Sequence, residues 1–259
     1  MKTRSKGLMA CLFLLSTLAS VSAQEIQMSR AASLEAVYGD VQESQEPLPM
    51  IDLGMEFGYV LYEAEITTDA EQSVLEVANI RDYAAVYVDS KLIGSIADSK
   101  KTLPLGVSIG KHKLQLYVEN IGRITYGPEI LDNSKGLFGS ITLDGAVIEN
   151  WKMTPLLVKE CSVGELNFTE QPGDGIPCFY QGRFTGSVLQ DMHLDVSGWG
   201  MGEVWVNGQY VGSYWEESSQ QSIPVPASAL VKGENSVVVF ELKDNGKRVV
   251  RFSSKAIFN

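Results

Sequence analysis

Residues 198–215, GWGMGEVWVNGQYVGSYW, gather three tryptophans, two tyrosines and five glycines into eighteen positions. Two kinds of chemistry fit such a stretch. The apolar face of a pyranose stacks on an indole or phenol ring while its hydroxyls bond to Arg, Asn and carboxylates, and the same rings dominate hydrophobic cores. Trp199, Tyr214 and Trp215 stand near glycines, outside the regular apolar alternation. Loops at such places expose side chains. Arg123 and Tyr126 occupy a second glycine-flanked turn, GRITYG at 122–127. These five are the candidate carbohydrate-binding residues.

Catalytic candidates are weaker. A retaining glycosidase needs two carboxyls about 5–5.5 Å apart, one of them held protonated. Glu63 and Glu65 are spaced i, i+2 and would share one face of a strand, which is also the pattern of an ordinary solvated strand face. GVSIG at 106–110 fits G-x-S-x-G, but a nucleophile elbow needs a strand-to-helix turn. Ser108 lies between two β-like runs and reads as a turn serine. DNSKG at 132–136 misplaces the glycine and distal glutamate of a calcium loop, so a structural calcium has no support and no cofactor is expected. His112 and His193 are the only histidines, which excludes a histidine-rich metal site. Asn167-Phe168-Thr169 has the pattern of a glycosylation sequon. No catalytic residue is assigned.

The charge balance excludes other partners. With 32 Asp and Glu against 21 Lys and Arg, the net charge is −11. A phosphate backbone is repelled, so nucleic acid is not expected as a partner, and an anionic membrane surface is disfavoured for the same reason. Lys2, Arg4 and Lys6, the apolar run Leu8 to Val21 and the small residue Ala23 read as a signal peptide over 1–23. That run is short for a membrane span, and no later one reaches about 18 residues. The expected location is secreted or periplasmic. Cys161 and Cys178 follow the signal segment. Export permits a disulfide between them, two separate thiols are the alternative, and their spacing fits no zinc pattern.

The elements that position these groups are β-strands. Residues 24–50 are polar and acidic, with two prolines near their end, and read as a flexible lead-in containing at most a short helix. From Ile51 onward, short runs rich in Val, Ile, Tyr and Phe alternate with Gly, Asp-Gly, Asn-Gly and Pro signals. This predicts an all-β sandwich or barrel. A shift of 118 positions superposes Tyr62 on Tyr180, Ile66 on Phe184, Val86-Tyr87-Val88 on Val204-Trp205-Val206, Asp89 on Asn207, and Gly94-Ser95 on Gly212-Ser213. Further on, two β-runs starting at Gly110-Lys111 and Gly233-Glu234 end in Glu119 and Glu241. Two copies of one β-unit follow, 51–157 and 158–259, each of sandwich size. Asn207-Gly208 is a strong hairpin signal because both residues tolerate positive φ. A two-residue loop there puts Trp205 opposite Tyr210 and Val204 opposite Val211. In the first copy Asp89-Ser90 takes the turn, with Tyr87 opposite Leu92 and Val86 opposite Ile93. One hairpin built twice with different aromatics favours packing as the role of Trp205.

These motifs carry a resemblance. Residues 58–62 (GYVLY), 82–89 (DYAAVYVD), 118–127 (VENIGRITYG), 135–143 (KGLFGSITL), Trp151, 177–184 (PCFYQGRF), 198–208 and 212–226 (GSYWEESSQQSIPVP) follow one another as in the C-terminal domains of family 35 glycoside hydrolases, the β-galactosidases. The resemblance covers most of the chain from Leu53 to Leu242. It implies two tandem jelly-roll sandwiches, galactose-binding-domain-like, which in that family pack against a catalytic barrel. The chain departs from the family pattern at Tyr83 and Ser213, where arginine is usual, at Thr125, where asparagine is usual, and at Ser218-Ser219-Gln220, in place of Gly-Pro-Gln. No position matches the barrel's catalytic glutamates. The resemblance therefore implies an exported, non-catalytic carbohydrate-binding or accessory module of glycan metabolism. Its partners would be galactose-containing carbohydrate and a separate catalytic chain or a second copy. The alternatives are a β-galactosidase acting alone or as one chain of a split enzyme, and a protein-assembly module.

Overall fold

A computed structural model describes residues 25–122, 134–170, 177–187, 189–243 and 246–259. Arg123, Tyr126 and the signal segment lie outside them. In chain order, β1 (Glu25–Gln27), β2 (Arg30–Ser33) and β3 (Gln42–Ser44) come first. Then follow β4 (Gly58–Thr68), β5 (Val74–Arg81), β6 (Tyr83–Val88), β7 (Lys91–Ala97), β8 (Thr102–Pro104), β9 (Gly110–Asn120), β10 (Gly136–Leu143), β11 (Ala146–Val147) and β12 (Trp151–Leu156). The last group is β13 (Cys178–Gly186), β14 (Met192–Asp195), β15 (Met201–Val206), β16 (Gln209–Trp215), β17 (Ser222–Val225), β18 (Gly233–Glu241) and β19 (Val249–Ser253). No α-helix occurs among the described residues. The chain forms two antiparallel jelly-roll sandwiches, as expected.

The first sandwich pairs a sheet of order β3-β12-β4-β9-β6-β7 with one of order β11-β10-β5-β8. The second pairs β16-β15-β18-β13-β2 with β1-β19-β14-β17. The internal repeat is visible in this order: β4-β9-β6-β7 of one large sheet corresponds to β13-β18-β15-β16 of the other. Each sandwich has its own core, around Tyr62, Leu116 and Trp151 in the first and around Tyr180, Trp199 and Val239 in the second. A third cluster joins the outer faces of the two large sheets, with Tyr59, Tyr87 and Tyr117 meeting Phe179, Trp205 and Phe240. The large sheets are therefore covered on both sides. This explains why YAAVYV of β6 and MGEVWV of β15 are buried at every position rather than at alternate ones.

Trp205 lies in this joint with its ring 6.1 Å from Phe179. Its counterpart Tyr87 donates to the Leu242 carbonyl at 2.9 Å. Both hairpin turns use left-handed pairs, Asn207 and Gly208 at φ 50° and 80°, Asp89 and Ser90 at φ 50° and 65°, the geometry of a type I′ turn. Trp205 faces Tyr210 and Tyr87 faces Leu92 as expected. The next pair departs from expectation: Val204 faces Gly212 and Val86 faces Gly94, so Val211 and Ile93 are the extra residues of a β-bulge repeated in both copies. Close packing from the opposite sheet accounts for the glycines. A Cβ on Gly212 would sit 3.1 Å from Ile223, and one on Gly94 3.1 Å from Leu103.

Two expectations are corrected. Residues 25–50 are not a flexible lead-in. β1 joins the small sheet of the second sandwich beside β19, β2 joins its large sheet beside β13, and β3 joins the first sandwich beside β12. Ile26, Met28, Ala31 and Ala32 are buried there; a few apolar side chains among polar ones suffice for an edge strand whose backbone is paired. Gly182 is shaped to this strap, since a Cβ on it would lie 2.6 Å from Ile26 and 2.7 Å from Met28. The second sandwich thus includes chain that precedes the first. No disulfide joins Cys161 to Cys178: Cys178 opens β13, and the Cys161 thiol donates to the Val158 carbonyl at 3.2 Å.

Candidate functional site

Where the two large sheets meet, the ends of β6, β9, β15 and β16 come side by side. Tyr83 opens β6 and pairs with Glu119 near the end of β9. Met201 opens β15 and pairs with Trp215, the last residue of β16. Tyr83 and Trp215, one from each sandwich, meet edge to face with ring centres 6.2 Å apart. Around them open two adjoining cavities of about 410 and 340 Å³ that share Glu119, Ile121, Met201 and Trp215. Trp215 is 38% exposed and Ile121 is 74% exposed, so an apolar ledge faces water at this mouth. Beneath it, the Tyr83 hydroxyl and Glu119 Oε2 are buried without a hydrogen-bond partner among the described residues.

A network of buried acids lies under the ledge. Glu203 is fully buried; it accepts from Tyr59 at 2.8 Å, from Tyr210 at 2.7 Å and from Lys159 Nζ at 3.0 Å. The Tyr59 hydroxyl is also 3.3 Å from Glu119 Oε1. A phenol has one proton, and its shorter contact is to Glu203. A protonated Glu119 is placed to donate to the phenol oxygen. Burial, helped by the nearby Glu203, pushes the Glu119 carboxyl up to about 7. On the other side, Glu241 accepts from the backbone N–H groups of Gly200 at 2.8 Å, Met201 at 3.1 Å and Lys243 at 2.8 Å. Burial outweighs these donors and pushes its carboxyl up to about 7 as well.

This arrangement explains the glycines of GWGMGE. A Cβ on Gly200 would stand 2.8 Å from Glu241 Oε1, and one on Gly202 would overlap the Phe240 carbonyl. They are spaces for a buried acid and a neighbouring backbone, not a loop displaying aromatics. Trp199 is fully buried, donates from Nε1 to the Val249 carbonyl at 3.0 Å, and packs against Tyr180 and Tyr214. Tyr214 is buried and donates to the Phe240 carbonyl at 2.9 Å. Burial leaves neither ring face free to stack on a sugar. Of the five candidates, Trp215 alone is both described and exposed; Arg123 and Tyr126 lie outside the described residues. Ser108 sits in the connection between β8 and β9 and uses its carbonyl to accept from Thr68 at 2.7 Å. Glu63 and Glu65 share the outer face of β4, but Glu63 is buried, accepting from Gln115 and paired with Lys113. No cluster of metal-ligating side chains occurs among the described residues. The acids that matter, Glu119, Glu203 and Glu241, were not singled out for chemistry from the sequence. One signal was present: Glu119 and Glu241 end equivalent apolar runs in the two copies.

A pH dependence of stability follows. Glu119 and Glu241 hold their protons more tightly folded than unfolded, so their stabilisation is complete below about pH 4.5, the unfolded value, and is lost as pH rises towards 7. The loss is at most about 3 kcal/mol per group. The melting temperature is expected to fall by roughly 5 °C or more from pH 5 to pH 8, and Glu119→Gln is expected to flatten that fall. Calorimetry across the range checks both.

Residues 47–157 match the β-galactosidase first all-beta domain, and residues 177–235 match the β-galactosidase galactose-binding domain. The chain belongs to these β-galactosidase domain families. Among curated β-galactosidases, it is 30% identical to beta-galactosidase 17 of Arabidopsis thaliana over 79% of its own length and 34% of that protein's. It is 33% identical to the Xanthomonas manihotis β-galactosidase over 71% of this chain and 31% of that protein, and 31% identical to the human beta-galactosidase-1-like protein 2 over 78% and 33%. The chain spans about a third of the length of these relatives. The first matched segment lies within the first sandwich and the second within the second, and the Tyr83–Trp215 contact joins one to the other.

Proposed function

We propose that the chain is an exported carbohydrate-binding accessory unit of the family 35 β-galactosidase type, serving glycan metabolism by holding galactose-containing carbohydrate beside a separate catalytic chain. The observation that carries this reading is the exposed Trp215 ledge over a groove edged by serine and glutamine side chains, in a chain whose residues 177–235 match a galactose-binding domain. The basic and apolar signal-like segment supports export. The purified chain is expected to be retarded in affinity gels containing β-galactans, with little turnover of a chromogenic β-galactoside. Free migration through galactan and every other polysaccharide tried would overturn it.

A second reading, hydrolysis by the chain itself or as one part of a split enzyme, draws on the Glu119–Tyr59–Glu203 cluster, since a carboxyl raised to about 7 has the character of a general acid. Against it, Glu203 is wholly enclosed and already bonded to three donors. Steady turnover of the chromogenic substrate by the chain alone, abolished by Glu119→Gln, would favour this second reading.

A further inference from the structure

Resting on the carbohydrate-binding reading, we propose that the groove has two sugar subsites, one on each side of Trp215, and takes a neutral oligosaccharide of at least two residues rather than a single sugar. Each of the adjoining cavities, about 410 and 340 Å³, lies near the lower limit of ordinary ligand sites, which run from about 300 to 1,000 Å³. Because they share Trp215, Ile121, Met201 and Glu119, a ligand that fills both runs past these residues, of which Trp215 offers the one aromatic face. A stacking ring between two largely apolar compartments edged by polar side chains suits two linked pyranoses, whose apolar faces and hydroxyl rims alternate along the chain.

The walls also offer hydroxyl and amide groups to sugar hydroxyls. Ser213, Ser218, Gln220 and Ser222 line the larger cavity, and Tyr83, Ser95 and Ser99 line the smaller. The buried Tyr83 hydroxyl and Glu119 Oε2, unpartnered among the described residues, belong to lining residues of the smaller cavity. The charge of the walls selects a neutral ligand. Among the described residues, the larger cavity is lined by one carboxyl, Glu119, and no cation, while Asp82, Glu119 and Glu217 line the smaller with one cation, Lys100; Asp82 is in addition paired with Lys135 at 2.8 Å. A uronate would bring an anion to carboxylates, on a chain of net charge −11.

Titration calorimetry with galactose, β-1,4-galactobiose and digalacturonate tests this on the full chain. Galactobiose is expected to bind at least tenfold more tightly than galactose, and digalacturonate more weakly than either. Trp215→Ala is expected to abolish binding. Ser213→Arg places a long side chain from an exposed position into the larger cavity. It is expected to remove the galactobiose advantage while galactose affinity changes less than about twofold. Unchanged melting curves of both variants verify the fold. Equal affinity for galactose and galactobiose, or tighter binding of digalacturonate, would overturn the proposal. Galactoside binding indifferent to both substitutions would overturn it while leaving the carbohydrate-binding reading in place. Absence of all binding would remove both.

Discussion

Gly202→Ala is expected to unfold the second sandwich. An alanine Cβ at this position would lie 1.8 Å from the Phe240 carbonyl oxygen, 2.8 Å from its carbon and 3.0 Å from the Tyr214 hydroxyl. Neither backbone can yield cheaply. Gly202 is paired with Tyr214 on one side and with Glu241 on the other, in the interior of the large sheet. Moving β15 away from β18 would also pull Met201 and Gly200 off the Glu241 carboxyl. The cost exceeds about 4 kcal/mol, the exceptional end for a single substitution, and domains hold only about 5–15 kcal/mol in all. Gly208→Ala provides the contrast. Its Cβ would meet nothing within 4 Å, and its cost is the strain of φ 80° alone, about 1 kcal/mol. Near-ultraviolet circular dichroism of the buried Trp199 and Trp205 is expected to collapse in the first variant and persist in the second. A Gly202→Ala protein melting within a few degrees of wild type would refute the steric account.

Glu203→Ala is expected to cost about 3–5 kcal/mol and to loosen the two sandwiches from each other. The side chain is fully buried where the large sheets meet, and its removal takes an acceptor from Tyr59, Tyr210 and Lys159, leaving Tyr59 only its longer contact to Glu119. Tyr59 belongs to the first sandwich, Tyr210 to the second, and Lys159 to the segment that follows β12. The acid therefore links both bodies and the chain between them. Glu203→Gln keeps an acceptor oxygen and is expected to lose about half as much. Adding Lys159→Met to Glu203→Ala removes the stranded cation and is expected to recover part of the loss, a non-additivity measurable by a double-mutant cycle. A larger radius of gyration in small-angle scattering would report the loosened joint. Simple additivity with an unchanged radius would mean that Glu203 serves its own sandwich only.

Apolar runs, Asn-Gly and Asp-Ser turns and the 118-residue repeat are local features, and local features specify β-strands, hairpins and a duplicated sandwich. The bulges at Val211 and Ile93 were not legible, because they answer to side chains arriving from the opposite sheet, Ile223 and Leu103. The strap formed by β1 and β2 has no local signature, because its burial depends on edges exposed by strands more than a hundred residues later. Trp199 and Tyr214 are buried against the expectation from sequence for a related reason. Glycines beside an aromatic suggest an open loop, yet here they make room for Glu241 and the Phe240 carbonyl.

The sequence by itself determined the fold class, the duplication and the likeness to β-galactosidase domains, since each is encoded in spacing along the chain. Only the tertiary structure decided that the large sheets face each other, that three acids are enclosed between and beside them, and that Trp215 stands over a groove. Those outcomes depend on which strand faces meet. Burial, which raises the carboxyls of Glu119 and Glu241 and closes over Trp199, is a property of the whole packed molecule rather than of any segment.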